Sequence, residues 1–280
     1  MDFKFGVRAH DMVSKTDIDT LLDNVVFHGF EYIQLVFPKA LDNASYSEEN
    51  VSRVKKSLEK HNVRISMLGA YFNPVDPDRC QVEKGIRNFE ENLRIMNSLQ
   101  APYVGSETGS YNGSPWTYNP KNQTEEGYQE SKSVFAGLLK KAEEYDGHIL
   151  IEPAYGHVMY CVKRLKRLVD ELDSSRVDVT VDLYNLLYEG NFEKREEIFT
   201  EALTTFRSRI KVIHLKDASI DESGRMVQLA PGEGSFNYPR MLREIKCFCP
   251  EAVLTFEGVK SDKIDKSYKY LSRLAELIAD

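Results

Sequence analysis

Glu152, Asp182, His214 and Glu257 each close a short apolar run, in ILIE, VTVD, IKVIH and VLTFE. A polar residue at the downstream end of a buried parallel strand stands where such a sheet builds its active site, at the carboxyl ends of the strands. Three carboxylates and one imidazole brought to a single mouth repel one another unless a cation joins them. Oxygen ligands with one neutral imidazole suit Mn²⁺ first, with Mg²⁺, Co²⁺ or Zn²⁺ as alternatives, and no thiolate is present to select copper or an iron–sulfur cluster. The pattern predicts one bound divalent metal ion.

For these residues to converge, their strands must run parallel and lie side by side. Apolar runs alternate with amphipathic stretches along the whole chain, as in a parallel sheet wrapped by helices. The pattern predicts strands at Phe3–Arg8, Tyr32–Phe37, Arg64–Ala70, Tyr103–Ser106, His148–Glu152, Val177–Asp182, Ile210–Lys216 and Ala252–Glu257. It predicts helices at Thr16–His28, Ser47–Lys60, Asp78–Leu99, Thr124–Tyr145, Val158–Glu171, Phe192–Phe206, Tyr238–Lys246 and Asp262–Ile278. Thr16 and Thr124 are candidate N-caps, while His28-Gly29 and Pro102 punctuate the pattern. With 280 residues, against about 250 for a typical (β/α)₈ barrel, the expectation is an α/β fold of that kind forming one domain over residues 1–280.

Composition removes several function classes. Hydrophobic content of 41% and charge of 29% are those of a globular enzyme. No apolar run nears the ~18 residues of a membrane span, and the N-terminus reads as a first strand rather than a signal peptide. The net charge of −7 and pI near 5.5 oppose attraction to polyanions, so nucleic acid is not an expected partner. Cys80, Cys161, Cys247 and Cys249 are scattered, and CFC has the wrong spacing for a zinc knuckle or redox motif. A cytoplasmic protein with reduced thiols and a small-molecule substrate is expected, and a homo-oligomer stays open.

Further candidates surround the four. Lys216 lies two residues after His214, so strand alternation puts both on one face. There it either binds a substrate oxygen or pairs with Asp217 or Glu152. Glu107 ends the fourth strand by the same logic, as a substrate contact or a cap. His10, at the end of the first strand, and His157, five residues past Glu152, are placed to reach a substrate oxygen or a ligand carboxylate, and Arg8 shares the parity of His10. Trp116, with Tyr111 and Tyr118 in the long Glu107–Asn122 connection and Tyr71 and Phe72 after the third strand, either meets a sugar ring or packs on the rim. Pro231–Gly234 lacks the Lys-Ser/Thr pair of a nucleotide loop and reads as a rigid turn. The absence of a Gly-x-Ser-x-Gly elbow and of a glycine fingerprint excludes serine hydrolase and dinucleotide readings.

LIEP, VDLYN, HLKD followed by PGEGSFNYPRMLREI, and FEG, in that order and about one βα unit apart, resemble the sugar phosphate isomerase/epimerase family. These are the xylose isomerase-like or endonuclease IV-like TIM barrels, and the opening FGVRAHD and NPVDPD extend the likeness over essentially the whole chain. The resemblance implies a barrel binding one divalent metal through Glu152, Asp182, His214 and Glu257. It also implies that Glu152 and Glu257 move a proton on a carbon beside a carbonyl. A metal polarising the substrate oxygens stabilises the enediolate, and a nearby carboxylate serves as base. Two bases on opposite faces give epimerisation, and one shuttling base gives aldose–ketose isomerisation. A lyase or dehydratase acting on a keto-sugar, keto-glycoside or inosose is the alternative. Ketose 3-epimerases of the family tend to carry a histidine three residues after the ligand aspartate, where this chain has Asn185. An endonuclease IV needs more histidines than the six present, and a barrel that only binds is the remaining rival.

Overall fold

The computed structural model describes residues 3–113 and 117–279. Eight parallel strands close into a barrel in the order β1-β10-β7-β6-β5-β4-β3-β2. They are β1 (Lys4–Arg8), β2 (Tyr32–Leu35), β3 (Arg64–Gly69), β4 (Val104–Glu107), β5 (Ile149–Glu152), β6 (Val177–Asp182), β7 (Ile210–Leu215) and β10 (Val253–Phe256). The outer helices are α2 (Ile18–Phe27), α4 (Glu48–His61), α5 (Arg79–Met96), α6 (Glu125–Glu144), α7 (Val162–Leu172), α9 (Arg195–Phe206), α10 (Tyr238–Phe248) and α11 (Ser261–Ala279). One-turn helices α1 (Ala9–Met12), α3 (Phe37–Ala40) and α8 (Leu183–Leu186) follow β1, β2 and β6 closely. This is a TIM barrel. Among the described residues no helix is long and apolar enough to cross a membrane.

Most of the core lies between the strands and the helices, where Ile33, Leu35, Ile151, Val179 and Val181 are fully buried. A smaller cluster of Met67, Leu150 and Val212 fills the barrel itself. Gly105 makes room for it, because a Cβ there would stand 2.3 Å from the Met67 Cε. Leu150 and Val212 are two residues before Glu152 and His214 on their strands. Alternation therefore puts this apolar plug on the inward face below the polar strand ends.

Several local expectations change. Asp17, rather than Thr16, caps α2, accepting from the Thr20 amide at 3.1 Å, while Thr16 bridges to Leu41. The helix expected over residues 158–171 begins at Val162, since the Val158 amide donates to the Gly109 carbonyl and serves the loop instead. His10 does not end a strand but lies in α1. A hairpin absent from the βα pattern, β8 (Asp217–Ile220) with β9 (Met226–Leu229), follows β7.

That hairpin and the Pro231–Gly234 turn are fastened by one buried carboxylate. Asp217 accepts from the amides of Ala218 (2.8 Å), Gly232 (3.0 Å) and Phe236 (3.0 Å). A side chain of the protein thus fills the anion-sized nest that the glycines create, and the turn reading holds. Gly234 is required by close approach, as a Cβ would lie 2.3 Å from Asp217 Oδ1 and 2.5 Å from the Ala218 carbonyl oxygen. Asp217→Ala strands these donors and should cost about 3 kcal/mol in urea unfolding. A loss below about 0.5 kcal/mol would show that the turn holds without the carboxylate.

Candidate metal centre

β5, β6 and β7 deliver Glu152, Asp182 and His214 at or next to their last residues, and Glu257 follows β10 directly. Asp182 pairs in register with His214, Thr255 pairs with His214 from the other side, and Glu107 on β4 pairs with Glu152. All four candidate ligands are buried, and one donor atom from each lies within 4.8 Å of the others. The His214 Nδ1 stands 2.5 Å from Glu257 Oε2, 3.2 Å from Glu152 Oε1 and 3.7 Å from Asp182 Oδ2.

Gln34, on β2 across the barrel, sets the imidazole. His214 Nε2 lies 2.8 Å from Gln34 Oε1, while Gln34 Nε2 donates to the Tyr71 hydroxyl at 2.7 Å. An amide oxygen can only accept, so Nε2 carries a proton, and Nδ1, turned to the carboxylates, is the nitrogen that would give up its proton to a metal ion. Gln34→Leu frees the ring and should weaken Mn²⁺ binding about 10- to 100-fold in a chelator competition. An unchanged affinity would mean that the carboxylates alone orient the ring.

Charge is concentrated here. Burial pushes the Glu152 carboxyl up despite the neighbouring His214. Burial acts the same way on Glu257, but His214, Lys216 and Arg8 overcome it and hold that carboxyl well below its usual range. Asp182 is lowered against burial by Lys216 and His214. Burial would lower the His214 imidazole, yet Glu257 and Glu152 hold it well above its ordinary value. Lys216 Nζ sits 2.7 Å from Asp182 Oδ2 and 3.5 Å from Glu257 Oε2. Its ion partners are therefore Asp182 and Glu257, rather than Asp217 or Glu152. Arg8 pairs with Glu257 and forks onto Asp11 with two 2.8 Å bonds.

The donor set fits a divalent ion. The four donors lie within 4.8 Å of one another, a cluster small enough for one ion with bonds of about 2.1 Å to gather after side-chain adjustment. Asp182 Oδ2 and Glu257 Oε2 are buried and lie 2.7 Å from Lys216 Nζ and 2.5 Å from His214 Nδ1. Such oxygens are those a cation would satisfy.

A family model described as xylose isomerase-like TIM barrel matches residues 22–273. The chain belongs to that family. Among curated proteins no sequence relative matches. Among solved structures, a D-tagatose 3-epimerase-like protein superposes with a TM-score of 0.77 at 18% identity, covering 99% of this chain and 98% of the other. A xylose isomerase-like TIM barrel protein from Mycobacterium smegmatis in complex with magnesium gives 0.76 at 13% identity, covering 100% and 98%. The probable 3-DHS dehydratase AsbF from Bacillus anthracis gives 0.75 at 16%, covering 96% and 99%. At these identities the likeness is one of fold.

The mouth of this family member divides into two chambers. The inner one, about 310 Å³, is lined by Arg8, His10, Lys39, Tyr71, Lys216 and Glu257, and the outer, about 480 Å³, by Tyr155, His157, Tyr184, Leu187 and Met226 among others. Glu107 and Asn185 line both. Asn185 donates to Glu152 Oε1 at 2.8 Å and accepts from Lys216 Nζ at 3.4 Å, so it braces the cluster from the position where a histidine was expected. Burial and Arg8 lower the His10 imidazole to about 4, whereas burial with Glu152 and Glu257 raises Glu107 to about 8. Trp116 lies outside the described residues. Tyr111 bonds Glu130 and packs under Lys121, and Phe72 is buried, so neither lines a chamber. Gln34 and Lys39 are additions that the strand-end pattern did not single out.

Proposed function

We propose that this member of the family is a metal-dependent isomerase or epimerase of a small carbohydrate, working by proton transfer on a carbon beside a carbonyl. The observation that carries the reading is the convergence of two glutamates, an aspartate and one histidine Nδ1 on a single buried point beside a polar chamber. Glu152, Asp182, His214 and Glu257 are assigned as ligands, with Mn²⁺ the first choice of ion. An ion held by these residues would supply Lewis-acid charge beside the substrate carbonyl and its neighbouring hydroxyl. Glu152 and Glu257 remove and return the proton. Lys216 offers a buried cation to a substrate oxygen, Asn185 orients Glu152, and His10, Glu107 and His157 contact the sugar hydroxyls.

Elimination is the second reading. Glu107, level with Glu152 across the β4–β5 pair, is placed to protonate a departing hydroxyl, and the fold likeness to a dehydratase is consistent with that outcome. Product analysis for loss of water separates the two.

The test begins with metal. Mn²⁺ at about 100 times its dissociation constant contributes about 2.7 kcal/mol of stability, so the thermal midpoint should rise by roughly 5 °C for a chain of this size. Loaded protein is then incubated in D₂O with ketoses, phosphoketoses and keto-glycosides. Deuterium entering the α-carbon of one class supports the proposal, whereas no midpoint shift and no exchange with any of them overturns it.

A further inference from the structure

Two residues past the end of β3, Tyr71 brings a phenol to the inner chamber. Its ring packs on the apolar plug of Met67, Leu150 and Val212. Gly69 keeps the place open, because a Cβ there would stand 2.7 Å from Tyr71 Cε2. The ring is thus held by apolar contacts from below, and its polar end stands at the level of Gln34.

The hydroxyl ends a relay whose direction is fixed. A histidine that ligates through Nδ1 keeps its remaining proton on Nε2, and His214 Nε2 lies 2.8 Å from Gln34 Oε1. With the amide oxygen taken up in this way, Gln34 Nε2 has only protons to offer, and it donates to the Tyr71 oxygen at 2.7 Å. The phenol therefore accepts from Gln34 and cannot give its own proton back. Among the described residues Gln34 is the one hydrogen-bond partner of that oxygen, so the Tyr71 proton is unclaimed at the wall of the chamber. Burial, and then the negative charge of Glu152, Glu257 and Glu107, holds the hydroxyl well above its ordinary range, so it stays protonated at neutral pH.

We infer that Tyr71 is a further catalytic residue, whose hydroxyl donates a hydrogen bond to the substrate oxygen that gains negative charge when the α-proton leaves. This rests on the proton-transfer reading of the inner chamber. As the C–H bond breaks, its electron pair forms the C=C bond and the carbonyl pair moves onto oxygen. The departing proton passes to a glutamate, and the Tyr71 proton stays on the phenol. A donor already in place where charge develops favours the transition state over the ground state. Successive hydrogen bonds polarise one another, so the Gln34 amide makes the phenol a stronger donor.

Tyr71→Phe keeps the ring on its plug and removes only the hydroxyl. At saturating Mn²⁺, kcat for α-carbon deuterium exchange on the ketose, phosphoketose or keto-glycoside that the wild-type protein turns over should fall about 100-fold, with KM changed less than about threefold. A phenol that acted only by holding Gln34 would cost nothing further when removed from the Gln34→Leu protein. A direct donor should still cost about tenfold there. Wild-type kcat in the single variant, or no further loss in the double one, overturns the assignment. If Mn²⁺ binds but no compound exchanges, the proton-transfer reading has failed instead, and oxalate, a planar dianion with adjacent oxygens like those of an enediolate, decides the donor role alone. Calorimetric affinity of the Mn²⁺-loaded Tyr71→Phe protein for oxalate about tenfold or more below that of the wild type supports it, and equal affinities, or binding to neither, overturn it. Without Mn²⁺ binding, reading and assignment fall together.

Discussion

At saturating Mn²⁺, the Glu257→Gln and Glu152→Gln proteins should lose at least about 1000-fold in both conversion and α-carbon deuterium incorporation, equivalent to about 4 kcal/mol of transition-state stabilisation. An amide keeps the shape of each side chain and one oxygen for a cation, but it cannot take a proton. β5 and β10 are three places apart around the ring, so the two carboxylates approach a carbon held between them from different directions. Elemental analysis of the same samples separates the two roles assigned to each glutamate. Bound Mn²⁺ with no exchange isolates the proton-transfer role, while absent Mn²⁺ shows that the ligand role dominates. A variant that holds Mn²⁺ and exchanges at the wild-type rate would falsify the assignment of that glutamate as a base.

The four strand-end residues were legible because strand alternation and parallel topology leave few places for a polar group to end an apolar run. ILIE, VTVD and IKVIH have no other acidic or imidazole residue at their downstream ends, and β5, β6 and β7 deliver them accordingly. Gln34 escaped the same reasoning because it sits inside the run YIQLVF, where one amide among apolar neighbours carries no periodic signal. Its role appears only when the barrel closes and β2 faces β7 across its interior. The hairpin of β8 and β9 was hidden for another reason: each strand has four residues, and DASI and MVQL are too short to compete with the βα rhythm. His10 shows the limit of parity arguments, since one helical turn after β1 still brings it to the inner chamber by a different backbone path. A stack of Tyr118, Tyr155 and Tyr188 joins residues far apart in the chain, and nothing in the local pattern pairs Tyr118 with Tyr155 or Tyr155 with Tyr188.

Lys216→Met gives an outcome in which stability, metal binding and rate move in different directions. The ammonium is buried, within 2.7 Å of Asp182 and 3.5 Å of Glu257, and methionine keeps most of its stem while removing the charge. Taking one partner from a buried ion pair typically costs about 3–5 kcal/mol. His214 and Arg8 still face the carboxylates, so a fall at the lower end, about 3 kcal/mol, is expected for the protein without added metal. Mn²⁺ has more to offset in the variant, because it enters a cluster that has lost one competing positive charge. Its dissociation constant should therefore stay the same or fall, and the thermal midpoint should recover on loading by more than in the wild-type protein. The rate should not recover: with no cation left to meet the substrate oxygen, kcat drops about 100-fold at saturating Mn²⁺, a size common for one lost electrostatic donor. Restored stability together with wild-type kcat would mean that Lys216 only balances charge.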